Sequence, residues 1–284
     1  MATRPAAVAG TWYPANPSAL THDVDGYLDA VRGGCDGEIR AILAPHAGLM
    51  FSGPIGAHAY KAIAAQPYDV AVLVGPSHFI GFDGVALYPQ GAFATPLGPA
   101  VIDEATAATL SQSGPIVSMP DVHAREHSLE MQLPFLRRVC PDLRIVPLLM
   151  GAQRRSTIEH LAISLANALR NRQALLIGST DLSHYFDART AAGLDGEVVA
   201  LVDQFDVDGL MHLFERYPES DRGRFVGCGM GPALSVMMAA RMLGARSARV
   251  LRYGHSGEIS GDDQGVVGYM AAAIGNVGER KERC

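Results

Sequence analysis

The sequence has no long hydrophobic run, no closely paired cysteines and no surplus of positive charge, and each lack excludes a class of function. Its apolar runs, AILAP, VAVLVG, RIVPLLMG and ALLIGS, fall far short of the roughly 20 residues a membrane-spanning helix needs. The opening MATRPAAVAGTWYPANPSAL contains no uninterrupted apolar stretch of the kind a secretion signal requires, and Trp12, Tyr13 and Pro14 break it early. The four cysteines, Cys35, Cys140, Cys228 and Cys284, show neither a CxxC pair nor a staple-like spacing. A reducing compartment is therefore expected, with the cytoplasm as default. The formal net charge of −6 argues against a sequence-independent grip on nucleic acid and against docking on an acidic membrane surface. A metal cation or an uncharged substrate remains compatible with it.

What is present describes a folded enzyme-sized chain. Its 284 residues are 48% hydrophobic and only 18% charged, enough to bury a large core. Short apolar runs alternate with helix-length segments, the pattern of buried parallel strands joined by helices. Strands are expected at Ile39–Ala44, Val70–Gly75, Arg144–Met150 and Ala174–Ser179, with an extended segment at Gly84–Tyr88 and closing strands at Ala248–Tyr253 and Val266–Ile274. Helices are expected at Pro54–Ala65 (capped by Ser52), Asp103–Gln112, Ser156–Asn171, Thr190–Gln204, Val207–Arg216 and Gly231–Leu243. A further helix is expected at His127–Val139, kinked or interrupted by Pro134. No linker or internal repeat divides the chain. The expectation is one α/β domain over 1–284, with a mostly parallel central sheet flanked by helices and a frayed, charged tail from about 276.

Ligands of open α/β sheets bind beyond the carboxyl ends of the strands. Three histidines fall there: His46 in AILAPHAG, His78 in VAVLVGPSH, and His184 in ALLIGSTDLSH, with Asp181 in the same turn. Any one of them reads equally as a loop histidine with a local hydrogen bond; three on different strands make a cluster. In RFVGCGMGPAL, Cys228 lies between two glycines before a helix. A packing cysteine needs no such neighbours, whereas a reactive or ligating one gains access from them, and a helix N-terminus lowers a thiol's pKa. Two imidazoles and a thiolate make a three-ligand set with an open position, suited to iron, copper or zinc.

The segment REHSLEMQLPFL sets His127, Glu130, Met131 and Pro134 at helical spacing, on one face of the expected helix. Glu126 and Glu130 flank His127, and a carboxylate there would fix its tautomer and raise its pKa. Alternatively, Glu130 caps the helix behind Ser128 or pairs with Arg137. His22, His123, His160 and His212 lie in exposed-looking contexts and receive no role; His58 reads as structural, and His255 stays a candidate because it follows a strand.

PHAG, GPSH, EHSLEMQLP, STDLSH and the glycine-flanked cysteine occur in an order that resembles the Memo family, and AGTWYP resembles that family's opening A-G-S-W-Y. The resemblance runs from Gly10 to about Ile274. It implies a fold similar to that of the class III extradiol dioxygenases, non-haem iron enzymes that bind the metal through two histidines and a glutamate. By that resemblance His46 and His78 take the histidine positions, Cys228 stands where the carboxylate would be, and His184 is the acid/base with Asp181 beside it. His127 joins the same catalytic pocket. The implied cofactor is iron(II), with copper or zinc as alternatives, since thiolate favours softer ions. Bacterial and archaeal members are commonly labelled protein B of a system with radical-SAM and AMMECR1-like proteins, and the animal protein is associated with signalling adaptors. Three functions follow: a metal-dependent oxidoreductase acting on a small-molecule or peptide substrate, a binding module using the same cleft, or a metal-free enzyme with Cys228 as nucleophile.

Overall fold

Uninterrupted burial is what turns the apolar runs into the centre of a sheet. The computed structural model describes residues 3–33 and 35–279. Its strands are β1 (Thr3–Arg4), β2 (Cys35–Ala44), β3 (Val70–Pro76), β4 (Val85–Leu87), β5 (Ala92–Phe93) and β6 (Ala100–Val101), followed by β7 (Ile116–Ser118), β8 (Arg144–Met150), β9 (Ala174–Ser179), β10 (His184–Phe186), β11 (Ser247–His255) and β12 (Val266–Glu279). Its helices are α1 (Pro17–Ala30), α2 (Leu49–Ile63), α3 (Glu104–Leu110), α4 (Leu133–Val139) and α5 (Arg155–Leu169), then α6 (Ala188–Asp203), α7 (Val207–Glu215), α8 (Arg222–Phe225), α9 (Met230–Met242) and α10 (Gly257–Ser260).

Among the described residues, nine strands form one sheet in the order β10-β12-β2-β9-β3-β8-β4-β7, with β11 beside β12. The centre, β2-β9-β3-β8, is parallel. Every residue of β3 and β9 is buried, as expected where both faces of a parallel sheet are covered. The flanks are mixed: β12 is antiparallel to β2, β10 and β11, and β4 to β8, whereas β7 runs parallel to β4. The architecture is thus mixed α/β, parallel at the centre rather than throughout. The segments β1, β5 and β6 make a separate small sheet.

Helices α1, α2 and α4 pack on one another, and α5 and α7 pack on α9. Helix α9 is buried around most of its circumference. One hydrophobic core links all these layers. No helix of the described residues is long and apolar enough to cross a membrane.

Several boundaries differ from expectation for identifiable reasons. Helix α2 begins at Leu49, not Pro54, and accommodates Pro54 inside. Ser52 is no cap; its hydroxyl donates to the Ala47 carbonyl at 2.7 Å. The expected helix from His127 is instead a short 3-10 turn at Glu130–Gln132 followed by α4, with Pro134 near its start, where a proline's missing N–H is tolerated. Residues 276–279 of the expected frayed tail pair with β2 as the end of β12, and the remainder of that tail, with Cys284, lies outside the described residues.

Candidate functional site

The parallel strands deliver their polar ends to one place. Strand β2 ends at Ala44 and leads to His46, β3 ends at Pro76 and leads to His78, and β9 ends at Ser179 and leads to Asp181 and His184. Cys228 arrives from the other side on the turn before α9. Its glycines have steric reasons: a β-carbon at Gly229 would collide with the Ser179 carbonyl, and one at Gly227 with that of Asp181. Gly227 also has φ +149°, a conformation L side chains rarely adopt. This close approach sets Cys228 beside the strand ends.

His46, His78 and Cys228 each offer a donor atom, and these atoms lie within 4.8 Å of one another. The Cys228 sulfur is 3.1 Å from His46 Nε2. The orientation of each ring follows from its other nitrogen. Ser179 Oγ donates to the Ser128 carbonyl at 2.8 Å and accepts from Gln132 Nε2 at 2.9 Å. A hydroxyl has one proton to give, so at its 2.8 Å contact with His46 Nδ1 the ring must donate. Gln132 is held in turn by Tyr60, whose hydroxyl donates to Oε1 at 2.8 Å. His78 Nδ1 donates to Glu126 Oε1 at 2.9 Å. In their neutral forms both imidazoles therefore carry the proton on Nδ1 and present Nε2 as the free nitrogen. Long-range nitrogen–proton NMR spectra of the metal-free protein are expected to show the Nδ1–H tautomer at His46 and His78, and an Nε2–H signal from either ring would contradict this assignment.

Glu126 is the organising carboxylate. It accepts from the His78 amide at 2.6 Å and from the His127 and Ser128 amides at 2.9 Å, besides the His78 ring. Burial pushes its carboxyl up, but the His78 contacts and the Ser128 amide outweigh this and hold it at about 2. The sequence pointed instead to a carboxylate steering His127. That ring's Nδ1 lies 3.5 Å from Glu126 Oε1 without a hydrogen bond. Burial, the largest influence, takes His127 down to about 4 despite Glu126, so its pKa is lowered rather than raised. His127 stacks on His78 with ring centroids 4.6 Å apart and lies 4.3 Å from the Trp12 ring.

Glu130 faces away from this pocket. It pairs with Arg4 at 2.5 Å and accepts from the Ala7 and Val8 amides and the Tyr13 hydroxyl. This replaces the single helical face expected for His127 and Glu130, and also the expected Arg137 pair or cap. His123, read as exposed, is buried with Nε2 3.1 Å from the Ala86 carbonyl. His58 sits on α2 at the edge of a separate cleft of about 540 Å³. His255 lies on β11, outside the cluster.

Asp181 Oδ1 accepts from the His46 amide at 2.7 Å. Burial raises its carboxyl to about 7 against the opposing pull of that amide and of His78. Burial lowers His184 and drives His46 well down, the neighbouring imidazoles adding to the effect on His46. The Cys228 thiol is pushed well above its usual range by burial, with the Asp181 charge adding to it. This is opposite to the lowering anticipated from the helix N-terminus; desolvation around the sulfur outweighs the dipole. The structure thus brings His46, His78, Cys228, Asp181, His184 and His127 into one cluster of overlapping trios. Sequence reasoning missed Ser179, Gln132 and Trp12, and gave Glu126 the wrong histidine.

Residues 4–273 match the family described as Memo-like protein. A MEMO1 family protein of Methanothermobacter thermautotrophicus is 34% identical over 282 residues, 95% of this chain and 99% of the relative. One of Methanopyrus kandleri is 34% identical, covering 94% of this chain and 97% of its own. The crystal structure of an uncharacterized protein from Escherichia coli K12 superposes with a TM-score of 0.60 at 15% identity, covering 84% of this chain and all of that one, a likeness of fold alone. With that match spanning nearly every described strand and every residue of the pocket, the chain belongs to the Memo family.

Proposed function

We propose that this Memo-family chain is a metal-dependent redox protein in which His46, His78 and Cys228 hold one ion, iron(II) foremost and copper or zinc otherwise. The observation that carries the reading is the pair of imidazoles fixed at Nδ1, both leaving Nε2 free beside one thiol. Ligating histidines characteristically donate their other N–H to a carboxylate or similar acceptor. When bound, such an ion supplies Lewis acidity and, for iron or copper, one-electron chemistry at an open position. Asp181, with its carboxyl near 7, is suited to exchange a proton at neutral pH, and His184, uncharged there, to accept one. The rings of Trp12 and Phe79 lie against His127, and Tyr185 projects beside His184. They suit a small molecule or peptide with an apolar part. The system association of bacterial and archaeal members adds a functional link to radical-SAM and AMMECR1-like proteins.

A metal-free cysteine nucleophile fits less well. Such enzymes rely on a thiolate–imidazolium pair, and here burial disfavours both charges, raising the Cys228 thiol and lowering His46. The test is metal analysis of protein purified anaerobically without chelators, followed by mass-spectrometric timing of Cys228 alkylation. A bound ion is expected to slow alkylation and a chelator to restore it. Equal rates with and without metal would overturn the reading.

A further inference from the structure

Besides His46–His78–Cys228, the described residues contain two trios whose donor atoms lie within 4.8 Å of one another, His78–Glu126–His127 and Asp181–His184–Cys228. The first is the more heavily engaged, since Glu126 already accepts four hydrogen bonds, three on Oε1 and one on Oε2. The second is less so. Asp181 is buried, and His184 Nδ1 is a buried nitrogen with no hydrogen-bond partner. Two ligands of one ion, each bonded at about 2.0–2.3 Å, stand at most about 4.6 Å apart. The five residues meet a comparable spacing only as two trios sharing Cys228, so one ion does not gather them all. A thiolate sulfur has lone pairs enough for two ions.

We propose that Asp181, His184 and Cys228 form a second metal site, joined to the first through a bridging Cys228 sulfur and suited to a thiophilic ion such as zinc(II). The proposal rests on the metal reading above and extends it: the doubly loaded protein holds an ion where the singly loaded one has its proton-exchanging pair. The hydrogen bond that the His46 amide donates to Asp181 ties the two sets together, fixing their relative position before any ion arrives.

The experiment titrates the metal-free protein with zinc(II) by calorimetry and elemental analysis, with thermal unfolding of each variant as the control for folding. The wild type is expected to take two ions per chain, His184→Ala and the isosteric Asp181→Asn one each, and Cys228→Ala neither tightly. X-ray absorption of the two-ion form is expected to show a metal–metal distance within about 4 Å. Saturation of the wild type at one ion overturns the second site while leaving the first. Binding of none overturns both. Two ions retained by both His184→Ala and Asp181→Asn, or a two-ion form with no metal–metal distance, overturns the shared site.

Discussion

Replacing any one of His46, His78 or Cys228 with alanine is expected to remove most metal from the purified protein, and the three losses are expected not to add. A four-ligand zinc site contributes about 10–16 kcal/mol, so each ligand is worth on the order of 3 kcal/mol, or roughly a hundredfold in affinity. The deficits should merge because the three residues dismantle one site. Cys228→Asp should keep metal while shifting preference toward harder ions, because a carboxylate with two imidazoles is the usual set for non-haem iron(II). The pH dependence has a definite sign. Burial raises the Cys228 thiol, so below that raised pKa binding must expel a proton, and apparent affinity should climb with pH by up to about tenfold per unit. The measurement is a competition titration against a chelator of known affinity across pH. Additive losses, or affinity independent of pH, would contradict ligation by this trio.

Glu130→Ala is expected to give the largest loss of stability. Arg4 and Glu130 are both almost fully buried, and removing one partner of a buried pair typically costs about 3–5 kcal/mol by stranding the other charge. Here the loss also takes the acceptor from the Ala7 and Val8 amides and from the Tyr13 hydroxyl. Against a typical total of about 5–15 kcal/mol, that is a large share. At about 2–4 °C per kcal/mol for a chain somewhat shorter than this one, the melting temperature should fall by about 6–20 °C. Trp12, the sole tryptophan, lies next to Tyr13 and against His127. Its fluorescence should therefore report release of the N-terminal segment separately from global unfolding. Glu130→Gln, which keeps an acceptor but no charge, should fall between. A loss under about 1 kcal/mol for Glu130→Ala would mean that Arg4 finds another partner.

The legibility of this protein in its sequence varied with how local the cause was. Runs such as Val70–Pro76 and Ala174–Ser179 declare buried strands because every residue is apolar or small. The strand ends, and with them the histidines that follow, are therefore legible from position alone. Helix α1 left only a narrow stripe, Leu20, Val24 and Leu28, and went unread although Asn16 caps it, accepting from the Ala19 amide, and Pro17 begins it. The short strands β1, β5 and β6 carry no periodicity to detect. Glu126 and Glu130 resemble one another in sequence, each beside His127, yet one turns to His78 and the other to Arg4. That choice is made by partners 48 and 126 residues away, which no local pattern encodes. The Cys228 thiol runs against its helix position for the same reason: helix position is local, whereas the burial that dominates comes from distant segments.

The contact between His46 and Cys228 joins residues 182 positions apart, and this separation sets when the pocket can exist. As the chain is synthesised from its N-terminus, both histidines of the trio emerge long before the sulfur, and the β2–β9 pairing that orients Asp181 forms only after residue 179. On the proposed metal reading, an early His46–His78 pair would lack the third donor and bind ions weakly. Loading would then belong to the end of folding, and a captured ion would certify that widely separated parts of the chain have found one another.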